Sequence, residues 1–324
     1  MTAAEFVKEW LDPQPFVEAM TSGSTGAPKK IRLYKSDMII SAEATNSFFG
    51  LGKDSTFVCP MDFRYIGAKM MAVRAMCANG KLVEAEVSNR FTFDGNADLL
   101  AVVPSQVDHL LQEKEMLSRV RHLLIGGAKL SRKREEALMR AGVEAYVSYG
   151  MTETASHVAL RRIGEPVYNA LNGISFEKDE RGCLVINMPE RNVKKVVTND
   201  IVELVSEKSF EWLGRYDNII NSGGLKIAPH TLESKIESVL DHFGLADNRF
   251  AIIGRDDEKW GEKVVCVIEG CSNEALAVSL LSAMKEKMSD DPRLCPKEVI
   301  FIPKFPITSN DKIDYSALRR ENLK

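Results

Sequence analysis

The fold is decided in the middle of the chain, by a stretch that reads Leu99-Leu100-Ala101-Val102-Val103-Pro104-Ser105. An unbroken apolar run of this length is typical of a strand that is buried on both faces. The proline ends the strand, and Ser105 can cap a helix whose apolar positions Val107, Leu110 and Leu111 share one face. The stretch therefore predicts a strand that leads directly into a helix.

The same pattern repeats twice further along the chain. Strands are predicted at residues 122–125 and 143–148, and the charged helix between them begins after Ser131 and is closed by Gly142. Alternation with short connections predicts an α/β fold with a largely parallel sheet covered by helices. Polar or glycine-rich corners then fall at the carboxyl ends of the strands, where ligands bind in such folds. The candidate residues at these corners are Ser105, Gly126, Gly127, Ala128, Tyr149 and Gly150.

Residues 217–324 show a different pattern and predict a second domain. Helices are predicted at 231–240 and 273–288, and strands at 250–253, 264–268 and 299–302. This is a compact α+β module within the usual size of a domain. We therefore divide the chain into an N-terminal domain over 1–216 and a mobile C-terminal domain over 217–324, with one continuous domain as the alternative.

Composition and charge exclude several functional classes. The 324 residues are 44% hydrophobic and 27% charged, as in ordinary globular proteins, and the net charge of −3 argues against a nucleic-acid partner. No signal peptide or membrane-spanning run is visible, which favours a cytoplasmic location. The six cysteines lack metal-site spacing and are expected to be reduced thiols.

A Ser/Thr/Gly-rich loop near the N-terminus has the chemistry of a phosphate-binding loop. Its glycines let backbone N–H groups turn toward a ligand, its hydroxyls add donors, and its lysine adds positive charge. A flexible linker is the alternative, but linkers rarely end in Pro-Lys-Lys before a strand-like run. The candidate phosphate ligands are Thr21, Ser22, Gly23, Ser24, Thr25, Gly26 and Lys29.

A second motif begins where the strand at 143–148 ends. Tyr149 offers an aromatic face for an adenine ring, Thr152 a hydroxyl for a phosphate oxygen, and Glu153 a carboxylate for Mg²⁺. Alone, this motif could equally be a turn with a helix capping box. We take Thr152 and Glu153 as catalytic candidates and Glu153 as the metal ligand.

Together, the two motifs closely resemble the signature loop and the second core motif of adenylate-forming enzymes. This superfamily contains acyl-CoA synthetases, luciferases and adenylation domains. The resemblance implies a two-domain enzyme that uses ATP and Mg²⁺ to activate an acid, and in the synthetases it implies coenzyme A as co-substrate.

Later segments follow the family's motif order, from Thr198-Asn199-Asp200 to the C-terminus. By resemblance, Asp200 holds the ribose hydroxyls, Arg215 contacts ribose and phosphate, and Asp217 is the hinge between domains. The loop with Gly223, Gly224 and Lys226 matches the region associated with thiol transfer. Lys312 matches the lysine that neutralises charge between the acid and the α-phosphate, where two anions meet.

The chain departs from the family pattern in three respects. Asn199 and Asp311 stand where the family has glycine, and only twenty residues precede the Ser/Thr/Gly loop. We therefore expect an N-terminal domain that lacks the usual first subdomain. The oligomeric state is left open.

The acid substrate is suggested by local resemblance to short 2-succinylbenzoate–CoA ligases of menaquinone biosynthesis. It rests on residues 102–107, 123–128 and 64–71. A dicarboxylate needs a cation in the acid pocket for the carboxylate that does not react. Arg64, Lys69 and Arg74 are the candidate cations, and Ser105 is a further candidate for that pocket; ordinary helix-surface charges are the alternative.

The sequence thus predicts an AMP-forming acid–thiol ligase, with a small carboxylic acid, ATP and CoA as its partners. Another acyl- or aryl-CoA synthetase is the first alternative. A catalytically degenerate nucleotide- or acyl-binding protein is the second, because of the short N-terminus and Asp311.

Overall fold

The computed structural model describes residues 1–20, 30–271, 274–308 and 313–321. The chain begins with helix α1 (Ala3–Leu11), whose N-terminus is closed by a capping box between Thr2 and Glu5. Strands β1 (Phe16–Met20) and β2 (Lys30–Tyr34) then pair antiparallel. The predicted phosphate loop lies between these two strands in sequence and outside the described residues.

The parallel half of the large sheet is built from strands that alternate with helices. Strands β3 and β4 are separated by α3, and β5, β6 and β7 follow with helices α4 to α6 between them. Their bounds are α2 (Lys35–Phe49), β3 (Thr56–Cys59), α3 (Ile66–Ala78), β4 (Lys81–Glu84), β5 (Ala97–Val102), α4 (Val107–Gln112), α5 (Lys114–Ser118), β6 (Val120–Ile125), α6 (Arg132–Ala141) and β7 (Ala145–Met151). The predicted α/β class and the three strands that suggested it are confirmed.

Both faces of β5 are buried, as its apolar run predicted. Leu99 and Ala101 pack in the cluster that contains helices α2 and α3, whereas Leu100 and Val102 pack with α4 and α6. Successive side chains of a strand point to opposite faces, so the helices form a layer on each side of the sheet. The N-terminus of α6 is capped by the Ser131 hydroxyl, which accepts from the N–H of Arg134.

The other half of the large sheet is antiparallel and was not foreseen from the sequence. Beyond β7 the strand order is β8, β9, β13, β12, β11, β10. Strands β3 to β13 thus form one sheet, whose pairing changes from parallel to antiparallel at β7–β8. The bounds are β8 (Ser156–Arg162), β9 (Val167–Ala170), β10 (Ser175–Lys178), β11 (Cys183–Asn187), β12 (Lys195–Ser206) and β13 (Ser209–Arg215).

A small second sheet follows the large one. This part of the chain contains the predicted helices and strands, and its sheet begins with a short hairpin, β14–β15. The bounds are β14 (Ile220–Ser222), β15 (Leu225–Ile227), α7 (Pro229–His242), β16 (Phe250–Asp257), β17 (Gly261–Glu269), α8 (Glu274–Lys287), β18 (Glu298–Ile302) and α9 (Tyr315–Glu321). The predicted domain boundary after Tyr216 lies between the last strand of the large sheet and the first strand of the small one.

Charged residues connect the region of α6, beside the large sheet, with the region of α7, beside the small sheet. Lys133 of α6 lies 2.7 Å from Asp247, and Lys129 lies 3.9 Å from the buried Glu233 of α7. The Trp212 ring also packs against His230 at an interplanar angle of 59°, with ring centroids 4.5 Å apart. Among the described helices, none is both long enough and apolar enough to cross a membrane.

Candidate active site

The corners after β5, β6 and β7 lie along one edge of the parallel sheet, as predicted. Val102 is paired with Ile125, and Ile125 with Val147, so β5 and β6 end at the same level of the sheet. The predicted end of the third strand at residue 148 was wrong: β7 continues to Met151, because Tyr149 and Gly150 pair with β8. Gly126 and Gly127 follow β6, and Ser105 follows β5, where its hydroxyl donates to Asn89 Oδ1 at 3.0 Å. The structure therefore brings the predicted corner residues together at the edge where α/β folds bind ligands.

Tyr149 links this edge to the antiparallel half of the sheet. Its hydroxyl donates to Asp200 Oδ2 at 2.7 Å, and its ring packs edge-on against Phe210. Burial, followed by the charge of Asp200, raises the pKa of Tyr149 well above its ordinary value, so it stays a neutral donor. The hydrogen bond fixes one oxygen of the carboxylate predicted to hold the ribose.

Asp200 is oriented from a second direction by Trp212. The indole Nε1–H donates to Asp200 Oδ1 at 3.1 Å. Each carboxylate oxygen thus has one protein donor and keeps further acceptor capacity. A carboxylate held in this way is suited to accept hydrogen bonds from a vicinal diol such as a ribose.

Arg215 joins Asp200 to the predicted hinge. Its Nη1 lies 3.8 Å from Asp200, and it donates to both oxygens of Asp217, at 3.0 and 2.8 Å. Burial works to raise the pKa of Asp217, but the hydrogen bonds from Arg215 outweigh it and the pKa lies below its ordinary value. Asp217 is therefore charged, and one guanidinium connects the predicted hinge residue to Asp200.

The position of Asn199 shows how the chain accommodates its departure from the family glycine. Its Oδ1 accepts from Arg181 Nη1 at 2.9 Å, and Arg181 also donates to the Thr198 carbonyl at 3.1 Å. The same arginine is paired with Asp179. The asparagine is thus anchored beside Asp200 and points its amide oxygen away into a surface ion pair.

Gly150 allows β7 and β8 to approach more closely than any other residue would. A Cβ atom at this position would lie 2.3 Å from the Ser156 carbonyl oxygen and 2.4 Å from His157 Cα. Both contacts are to backbone and cannot be relieved by a side-chain rotation. Glycine is therefore required at position 150 by the packing between the two strands.

Thr152 and Glu153 lie on a short 3₁₀ turn that follows β7. Thr152 is buried, whereas the Glu153 carboxylate is exposed and makes no hydrogen bond or ion pair within the described residues. Those residues also contain no cluster of three metal-ligating side chains. Mg²⁺ usually takes one or two protein carboxylates and fills its shell with phosphate oxygens and water, so Glu153 fits that role.

The turn after Glu153 has an unusual backbone. Ala155 and Ser156 both have positive φ, at 47° and 85°, a region that non-glycine residues rarely adopt. Three hydrogen bonds hold it: Ser41 Oγ to the Ala155 carbonyl at 3.1 Å, Arg191 Nη1 to the Thr154 carbonyl at 2.6 Å, and Thr154 Oγ1 to the Ser156 carbonyl at 2.6 Å. Strain retained by such contacts is typical of functional sites.

The three candidate acid-pocket cations have different surroundings. Arg64 is exposed and paired with Asp62 at 2.6 Å. Lys69 is buried, but its Nζ lies 2.7 Å from Glu9 Oε2 and donates to the Glu18 carbonyl at 2.8 Å. Both cations thus have anionic partners within the protein, and their place in the acid pocket stays a prediction.

Arg74 is fully buried on α3 and pairs with no carboxylate in the described part of the chain. Its Nη2 donates to His157 Nδ1 at 3.3 Å and lies 3.5 Å from Ser156 Oγ, while Nη1 contacts Met71 Sδ at 3.7 Å. Its Nε is buried without a hydrogen-bond partner. Burial lowers the pKa of Arg74 to about 9, which leaves it protonated at neutral pH.

The predicted thiol-transfer residues lie in the hairpin of the small sheet. Gly223 and Gly224 both have positive φ, at 56° and 82°, and Lys226 is exposed. A Cβ at Gly223 would lie 2.7 Å from the Trp260 ring, which packs over the turn. Lys312 and the loop residues Thr21 to Gly26 with Lys29 lie outside the described residues.

Sequence reasoning missed three residues that organise this site: Trp212, His157 and Arg191. Trp212 orients Asp200, His157 contacts Arg74, and Arg191 holds the strained turn while two of its own nitrogens stay buried without a hydrogen-bond partner. The only signal for His157 was its place in the run after Glu153, on a strand whose next residues are apolar.

Comparison with known proteins identifies the class of enzyme to which the chain belongs. The chain belongs to the family of AMP-binding enzymes, whose sequence profile matches residues 7–180. A crystal structure of an acyl-CoA synthetase (AMP-forming)/AMP-acid ligase II-like protein from Dyadobacter fermentans is similar, with 33% identity over 99% of this chain and 93% of that one and a TM-score of 0.63. The predicted adenylate-forming class, an AMP-forming ligase, is confirmed.

More distant relatives carry a specific name. A 2-succinylbenzoate–CoA ligase from Bacillus cereus is 24% identical over 93% of this chain and 68% of its own length. The O-succinylbenzoate coenzyme A synthetase from Bacillus subtilis, solved with ATP and a magnesium ion, shares the fold at 20% identity, with 94% of this chain and 69% of that chain covered and a TM-score of 0.74. The chain thus spans about two thirds of the length of these ligases.

Proposed function

We propose that the protein is an ATP-dependent acid–CoA ligase that works through an acyl-adenylate and that its acid is 2-succinylbenzoate, as in menaquinone biosynthesis. In the first step the acid's carboxylate attacks the α-phosphate of ATP and pyrophosphate leaves. In the second step the thiolate of CoA attacks the acyl carbon and AMP leaves. The ligase relatives support the reaction, and we propose a cytoplasmic location for it.

The choice of a dicarboxylate rests on Arg74. A buried charge without an ionic partner is unfavourable by several kcal/mol, on the order of the loss seen when one member of a buried pair is removed. The second carboxylate of the substrate would supply the missing anion, and a guanidinium can bind it through two parallel hydrogen bonds. A fatty acid or benzoate has no second carboxylate and would leave Arg74 uncompensated.

The distance along the chain between the two ends of this acid site is short. Glu153 lies three residues before Ser156, whose hydroxyl contacts Arg74. In this proposal the turn between them would hold the proposed Mg²⁺ ligand and the partner of Arg74 in a fixed relation. A bound acid with two carboxylates would therefore be positioned at both of its ends, which favours reaction by holding the reactants in one geometry.

At the nucleotide end we propose that Asp200 accepts from the ribose hydroxyls and that Arg215 contacts ribose and phosphate. The Thr21 to Lys29 loop would bind the β- and γ-phosphates, and Glu153 would hold Mg²⁺, which would draw charge from the phosphates as pyrophosphate leaves. Lys312 would neutralise the two anions that meet at the α-phosphorus.

We further propose that the small domain rotates about Asp217 between the two steps. Lys312 and the hairpin with Gly223, Gly224 and Lys226 belong to the same domain but serve different half-reactions. One orientation cannot present both to the substrate, so the domain must move.

The test is ATP–pyrophosphate exchange with a panel of acids: 2-succinylbenzoate, benzoate and a medium-chain fatty acid. We expect exchange with 2-succinylbenzoate to exceed the others by about 100-fold in kcat/KM, as expected for a desolvated carboxylate–arginine pair. Equal exchange with all three acids would overturn the menaquinone assignment and leave the ligase class.

A broader acyl- or aryl-CoA synthetase is the second candidate, favoured by the description of the Dyadobacter relative. It predicts exchange with a monocarboxylate at least as fast as with 2-succinylbenzoate. ATP binding without exchange on any acid would instead indicate a degenerate binding protein.

A further inference from the structure

His157 is buried between the strained turn and helices α2 and α3. It lies at the start of β8 with 4% of its surface exposed. Its Nε2 lies 3.0 Å from Thr45 Oγ1, and its Nδ1 lies 3.3 Å from Arg74 Nη2. Family membership and the proposed reaction leave this imidazole without a role.

The hydrogen bonds around His157 fix where its proton lies. The Thr45 hydroxyl donates its one hydrogen to the Ser41 carbonyl at 3.0 Å, so toward His157 it can only accept. The imidazole therefore carries its proton on Nε2 and offers the Nδ1 lone pair to Arg74. Burial, then the charges of Arg74 and Arg191, hold the pKa of His157 well below its usual range, in agreement with a neutral ring.

The Arg74 guanidinium has neutral partners on two of its nitrogens: His157 and Ser156 at Nη2, and the Met71 sulfur, a weak acceptor, at Nη1. Nη2 is held by His157, with Ser156 nearby, whereas Nε and Nη1 have no oxygen or nitrogen partner among the described residues. A guanidinium is planar, so fixing one of its nitrogens also fixes the direction of the others. The shortest of these contacts, to the neutral His157, thus contributes most to the orientation of the Nε–H and Nη1–H groups.

We infer that His157 is a positioning residue, which holds Arg74 for the non-reacting carboxylate of the acid substrate and thereby sets the preference for acids with two carboxylates. The inference rests on the proposed function and goes beyond it, since it assigns the orientation of the cation to a residue that touches neither the acid nor ATP. An acceptor without charge is required here, because a carboxylate in this place would neutralise Arg74 and compete with the substrate.

The test compares His157→Leu with His157→Gln in the full-length protein. Leucine removes the acceptor, and we expect KM for 2-succinylbenzoate to rise about tenfold with kcat nearly constant, because a hydrogen bond to a charged group is lost. Glutamine can accept from Arg74 and donate to Thr45, so we expect it to retain most of the preference over benzoate. His122→Leu is the matched control, because His122 is also buried but packs on Phe49.

The acid preference of the wild type is measured first, because it distinguishes failure of the proposed function from failure of the positioning role of His157. A wild type without preference for the dicarboxylate overturns the proposed function. A wild type with that preference, retained in His157→Leu, overturns the positioning role alone.

Nitrogen NMR of the imidazole provides a second measurement that does not depend on turnover or on the stability of the leucine variant. We expect the Nε2–H tautomer in the wild type and a shift of the Nδ1 resonance in Arg74→Met. The opposite tautomer, or an Nδ1 resonance that does not respond to Arg74→Met, would contradict the inference.

Discussion

Helix α3 buries two cations, Lys69 and Arg74, in different electrostatic surroundings. Eight consecutive residues of this helix, from Ala68 to Ala75, are buried, so neither side chain can reach bulk water. Lys69 faces α1 and β1 and is neutralised by Glu9, whereas Arg74 faces β8 and meets only neutral groups in the described residues. The first pair connects elements of the protein, and we propose that the second cation binds an anionic group of the substrate.

This difference shows how a structural charge is told from a ligand-binding one. A buried ion pair that is complete within the chain holds two elements together. A buried cation that is hydrogen-bonded only to neutral acceptors is oriented but not compensated. Both residues are buried cations on the same helix, so neither residue type nor burial distinguishes them. The presence or absence of a carboxylate partner does.

Arg74→Met should give the largest effect. We expect kcat/KM for 2-succinylbenzoate relative to benzoate to fall about 100-fold, because the carboxylate loses its charged partner. The thermal midpoint without substrate should stay equal or rise, since a desolvated charge is replaced by an apolar side chain. Exchange kinetics measure the acid preference, and thermal unfolding measures the midpoint. A variant that is destabilised but keeps its preference would show that Arg74 is structural like Lys69.

Lys69→Met should show the opposite behaviour. We expect a loss of about 1–3 kcal/mol in the free energy of unfolding, because Glu9 and the Glu18 carbonyl lose their donor. The loss stays moderate because the Glu9 side chain keeps 28% of its exposure and can be hydrated. Urea unfolding measures it, and the preference for the dicarboxylate should be unchanged. A change in acid preference would return Lys69 to the acid pocket.

The smallest expected effect is on the pH dependence of stability, through His157, the neutral partner of Arg74. The folded-state pKa of His157 lies below the unfolded value, so the unfolded chain binds the extra proton first as the pH falls. This contribution to stability is complete above the unfolded pKa of about 6.5 and is lost below it, at up to about 1.4 kcal/mol per pH unit. We expect His157→Gln to lower this part of the pH slope in urea unfolding between pH 7 and pH 5. Identical slopes in both proteins would mean that His157 is charged in the fold.

Much of the architecture followed from local sequence patterns. The apolar run at β5 and the serine cap of α6 predicted the parallel strands, and the register then placed Gly126 and Tyr149 at one edge. These features depend on residues close together in sequence, where strand periodicity and helix-capping residues can be recognised.

The remaining features depend on contacts between distant residues. Nothing near Lys69 in sequence indicates that Glu9 neutralises it, and nothing near Asp200 indicates the hydroxyl of Tyr149. The antiparallel half was missed because its register is set by pairing across the sheet. The cations of α3 could be named from the sequence, but their partners could not.

The change from parallel to antiparallel pairing also divides the large sheet by its folding kinetics. Strands β10 to β13 pair mainly with their neighbours in sequence, whereas β3, β5, β6 and β7 require a helix to cross over before each pairing. Contacts between near residues close with less loss of chain entropy and form sooner. Asp200 and Trp212 lie in this early half, so pulse-labelled hydrogen exchange should show protection in β12 and β13 before β5 and β6. The carboxylate that we propose for the ribose would then be in place while the edge that we propose for the phosphates is still being assembled.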